Sequence, residues 1–120
     1  MKSFTDIEQS RKLAEFLPIE SADMAYIASA TDDNGETLYT AEYKSEIIIH
    51  ESDDYINCWS LAALLGILSF PALRYDIEDG EGGWIVSCEN NDKEYLSYYR
   101  DNPVDTCYEM ILRLHSNQLL

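Results

Sequence analysis

The chain has 120 residues, 46% of them hydrophobic, which suffices for one ordinary domain burying roughly two-thirds of the surface its unfolded chain exposes. A single domain spanning 1–120 is therefore expected. Asp and Glu number 23 against 8 Lys and Arg, a formal net charge of −15, and this disfavours direct binding to nucleic acid or to an anionic membrane.

The opening residues Thr5-Asp6-Ile7-Glu8 have the spacing of a capping box, in which a hydroxyl and a carboxylate satisfy two free amides at a helix start. Ile7, Leu13, Ala14, Phe16 and Leu17 follow at helical spacing until Pro18 stops the run. From Met24 to Ala30 the pattern changes to period two and predicts a strand. Asp32-Asp33-Asn34-Gly35 then gives a hairpin signal, since Asn and Gly both tolerate positive φ, and Thr37 to Tyr43 is the returning strand. Ile47-Ile48-Ile49 is a β-branched run that either continues the sheet or covers its edge, and residues 44–56 are left open between strand, helix and loop.

The uncharged stretch from Ile56 to Leu73 reads as a core helix over Cys58 to Leu68, capped by Asn57 and apolar on nearly all sides. Its continuous part is about 11 residues, or about 16 Å, against roughly 30 Å of hydrocarbon in a bilayer, so it does not span one. Leu73 to Ile77, Trp84 to Cys88 and Tyr95 to Tyr99 each alternate and are joined by turn formers, which predicts a three-stranded meander. Asn102 as cap, Pro103 in the first helical position and Asp105 in the third open a last helix, with Val104, Cys107, Tyr108, Ile111 and Leu114 as its apolar face. The order of elements predicts an α+β fold, an antiparallel sheet (hairpin plus meander) with about three helices packed on one face.

Cys58-Trp59-Ser60-Leu61-Ala62-Ala63-Leu64-Leu65 and Asp101-Asn102-Pro103-Val104-Asp105-Thr106-Cys107-Tyr108-Glu109-Met110, with Glu20-Ser21-Ala22-Asp23-Met24, resemble a group of small uncharacterised acidic proteins from gut Bacteroidales. The resemblance spans most of the chain and implies a bacterial cytoplasmic domain. It carries no established activity and transfers no functional residue.

The N-terminus lacks the apolar core of a secretory signal, and three Cys without a C-x-x-C pair fit neither a disulfide framework nor a zinc knuckle, so a cytoplasmic location is expected. Cys107 and His115 stand eight residues apart on one helix, about 12 Å along its axis and too far for a nucleophile–base hydrogen bond. His50 reads as a solvated or capping residue. No nucleophile-elbow, zinc-protease or phosphate-loop motif occurs, and the expectation is a non-enzyme without cofactor. Asp76, Glu78, Asp79 and Glu81 could offer oxygen ligands to a hard cation beside Gly80, but the ligand spacing of a calcium loop is missing.

The charge is concentrated. Residues 20–54 hold ten acids against one base and residues 76–94 seven against one, while the predicted helices are close to neutral. If both stretches share a face, they set up a field that attracts a basic partner. Asp32, Asp33, Asp76, Glu78, Asp79 and Glu81 are the candidate contacts, joined by Tyr98, the tyrosine expected to be most exposed. The expected function is a protein-interaction module for a basic protein. The alternatives are a mimic of DNA phosphates that occupies a nucleic-acid-binding protein, and a small-ligand or metal-binding domain using the Asp76 to Glu81 loop. Homo-oligomerisation is open.

Overall fold

Among the described residues, three α-helices and two three-stranded antiparallel sheets give an α+β architecture. The computed structural model describes residues 1–47, 54–78 and 80–120, leaving aside the side chains of residues 78 and 97–100. The expected hairpin and meander are both present, but they do not join. The hairpin strands β1 (Met24–Thr31) and β2 (Thr37–Tyr43) take β3 (Tyr55–Cys58) as third strand in the order β2-β1-β3. The meander β4 (Ala72–Glu78), β5 (Glu81–Asn90) and β6 (Lys93–Arg100) forms the second sheet.

Helix α1 (Ile7–Ala14) starts one residue later than the capping box Thr5–Glu8 predicts. Asp6 caps it, accepting the Gln9 amide at 2.8 Å, and the Gln9 side chain accepts the Asp6 amide in return. Thr5 is diverted elsewhere: it is fully buried, its amide donates to the Trp59 carbonyl, and its hydroxyl accepts the Trp59 amide and bonds Ser10. The helix also ends at Ala14, short of Pro18.

A larger correction concerns the middle of the chain. Tyr55–Cys58 is strand, so the helix does not begin at Cys58, and Asn57 pairs with Ala25 instead of capping. Helix α2 (Leu61–Ile67) is capped by Ser60, whose hydroxyl accepts the Ala63 amide. Ser60 is itself fixed by Asp23, which accepts both its amide and its hydroxyl. With only seven residues, and with Ala62 and Gly66 exposed, α2 is not the most buried element. That place belongs to α3 (Pro103–Ser116), where Val104, Cys107, Met110, Ile111 and Leu114 all face the core. Its start is as expected: Asn102 accepts the Asp105 amide, and Pro103 follows the cap.

The core gathers Leu13 and Leu17 around Trp59, Leu64, Leu68, Val86 and Cys88, closed by the apolar face of α3. Helix α3 lies on β5 and β6, α2 packs on α3, and α1 meets the first sheet through β3. The first sheet is thus held at its base only. Along β1, Met24 and Ala25 are buried while Ser29, Ala30 and Thr31 are exposed, so the β1–β2 hairpin projects away from the core. The radius of gyration, 15.9 Å, exceeds the value of about 14 Å expected for a compact chain of this length.

Candidate functional site

Among the described residues, the acids of the two stretches fall on the strands and turns of the two sheets and on the short 3-10 turns Ile19–Ser21 and Lys44–Glu46, and none falls on α1, α2 or α3. Asp32 and Asp33 sit in the β1–β2 turn. There the Asp32 amide donates to Glu36 and the Gly35 amide to Asp32, with Gly35 at φ +80°. The Asp32 carboxylate accepts the amides of Asn34 and Glu36, each at 2.9 Å. Asp32 is therefore an Asx-type turn residue with one oxygen committed to backbone, whereas Asp33 is exposed.

Asp76 lies on β4. One of its oxygens accepts the Ile77 amide at 2.8 Å and the other stands 3.9 Å from the Arg74 guanidinium, a long and exposed pair of small energetic weight. Glu78 and Glu81 are register partners that close the β4–β5 hairpin, and Glu81 is exposed. Asp79, His50 and the Ile48-Ile49 run lie outside the described residues, as does the side chain of Tyr98. The position of Tyr98 is notable nonetheless, since β6 shifts register there, between the pairs Trp84↔Arg100 and Val86↔Ser97.

Other tyrosines divide by environment. Tyr26 is held by its hydroxyl donating to the Thr5 carbonyl at 2.7 Å, and burial, aided by Cys58 and Asp6, pushes its pKa up to about 12. Tyr39 donates to Asp54, and Tyr95 lies under Arg113 at 5.9 Å. Tyr43 and Tyr75 are exposed, Tyr75 at 56%. The Tyr75 ring meets Trp84 edge-on at 5.5 Å and covers Gly82, where any side chain would run into it. Ile77 is 67% exposed one step further out along the same face of β4.

All three cysteines are free and buried. Burial raises each thiol, that of Cys107 to about 12 with Cys88 adding to the effect, so they are protonated at neutral pH. His115 stacks on Phe16 at 3.8 Å with its Nδ1 facing the Leu120 carbonyl, while Cys107 is directed into the core. No cluster of three metal-ligating side chains occurs among the described residues. An open concavity of about 520 Å³ lies on the first sheet, lined by Ile27, Ser29, Thr40, Glu42 and Ile47. No helix among the described residues is long and apolar enough to cross a membrane.

The sequence points to the carboxylates and to tyrosines flanking them, with Tyr98 foremost, and does not single out Tyr75 and Ile77 as the exposed apolar pair. The signal was present in Tyr75 and Ile77, which alternate with Arg74 and Asp76, but the pattern alone assigns that face to the core. Comparison of the chain with protein-family models, with curated proteins and with solved structures finds no match.

Proposed function

We propose that the protein is a non-enzymatic, cytoplasmic interaction module that docks a basic protein through carboxylates of its strands and turns. The observation that carries this reading is the lack of internal neutralisation. Among the described residues, Asp76 is the only carboxylate of the two acidic stretches within 4 Å of a cationic group, and at 3.9 Å that pair is weak. The remaining ion pairs belong to Lys2 and Lys12, in the neutral N-terminal region. Acids with so little ionic compensation, on strands that also expose Tyr43, Tyr75 and Ile77, combine long-range attraction for a basic surface with apolar area to hold it.

The test is affinity capture from the native host with the wild type and with a variant carrying Asp76→Asn, Glu78→Gln, Asp79→Asn and Glu81→Gln. A basic protein retained by the wild type, released by salt and lost by the variant is the expected result. An identical set of partners for both proteins overturns this use of the second sheet.

A further inference from the structure

The free edge of β4 is complementary to itself. Asp76 accepts the Ile77 amide with its side chain, so that amide faces away from β5. By the period of two, the backbone groups of Tyr75 and Leu73 face the same way, and those of Arg74 and Asp76 face β5. Strand β4 is the outer strand of its sheet, and among the described residues no other strand takes these outward groups. Such an edge is a template for a further strand.

We propose that a second copy of this chain is that strand, pairing β4 antiparallel to β4 about a two-fold axis at Tyr75 and fusing two meanders into one six-stranded sheet. The register follows from the residues. Centring on Tyr75 sets Leu73 opposite Ile77 as a hydrogen-bonded pair, using the outward groups, and sets Arg74 opposite Asp76 as a close non-hydrogen-bonded pair, twice per dimer. Sliding by one pairing step in either direction brings Arg74 against Arg74 or Asp76 against Asp76. Only the central register matches charge with charge and covers the exposed Tyr75 and Ile77 with their own kind. In forming it, Asp76 releases the Ile77 amide to the Leu73 carbonyl of the second copy and exchanges its long contact with Arg74 of its own chain for one across the axis. Repulsion between the distant acids of the two copies is screened beyond about 8 Å at physiological ionic strength. A basic peptide on the same edge would meet Arg74, which favours the second copy as occupant.

This inference does not rest on the basic-partner reading, and the two separate in experiment. Sedimentation and light scattering of the full chain, from micromolar to millimolar, are expected to show a monomer–dimer equilibrium. Arg74→Asp or Asp76→Arg alone is expected to weaken it by about tenfold or more, because each creates two like-charge pairs, and Arg74→Asp combined with Asp76→Arg is expected to restore it. Ile77→Pro removes an outward amide that β5 does not use and is expected to leave a folded monomer by circular dichroism. A wild type monomeric at every concentration overturns the proposal. So does a dimer indifferent to the single charge reversals, or a double variant that folds and stays monomeric.

Discussion

Asp105 joins segments that are distant in the chain. Its carboxylate accepts from Lys2 and Gln9, each at 2.8 Å, and from Asn102, tying the N-terminal segment and α1 to the start of α3. Burial alone would raise its pKa, but these hydrogen bonds outweigh that effect and hold the carboxyl below its ordinary value of 3.8. A depressed carboxyl stabilises the fold in full above its ordinary value, and that contribution is lost as the pH falls below 3.8 through the depressed one. Lys2 is shifted oppositely: burial lowers it, its acidic partners more than compensate, and its contribution persists up to its ordinary 10.5. Asp105→Asn is therefore expected to cost about 1–2 kcal/mol at neutral pH. In urea titrations the gap to the wild type should narrow on acidification below pH 4, and a gap independent of pH would contradict this role. Local signals made Asn102, Pro103 and Asp105 legible in the sequence because cap and acceptor are three residues apart. The identity of the α1 cap was not legible, because Thr5 and Asp6 are both competent and the choice is made by Trp59, far away in the chain.

At the scale of elements, the β5–β6 turn shows what sequence can specify. Asn91 and Asp92 adopt φ of +52° and +64°, between the register partners Asn90 and Lys93. This is the two-residue turn whose twist suits antiparallel strands, and its second position favours glycine. Asp92→Gly is expected to stabilise the protein by about 0.5–1 kcal/mol, since an L-residue is strained there and glycine is not. A higher urea midpoint at unchanged slope checks it, and a lower one refutes it. Strand β3 lacked such a signal. Tyr55–Cys58 is four residues long and becomes a strand by pairing with β1, some thirty residues upstream, so the uncharged run that it opens reads equally well as helix. The shift of the helix cap from Asn57 to Ser60 follows, with Asp23 supplying the deciding bonds.

For the whole molecule, a net charge of −15 with few ion pairs among the described residues means that folding concentrates like charges. Thermal stability is expected to rise as sodium chloride is added from low ionic strength, by about 4 °C for each kcal/mol of repulsion screened. A melting temperature that is flat or falls with salt would show that the acids are neutralised within the fold. The concentration of charge on strands and turns was legible from composition along the chain. The division of those strands between two sheets was not, and neither was the free edge of β4, because an edge exists only once a sheet has been assembled. The taper in burial along β1 separates two tasks that many small proteins must perform with the same atoms. The β1–β2 hairpin leaves the core after Ala25 and runs roughly 20 Å to its tip. Its outer amides can open from the turn inward without disturbing Trp59 or α3. The tip can therefore tolerate insertion, cleavage or a change of residues, while the cost of keeping the chain folded is borne elsewhere.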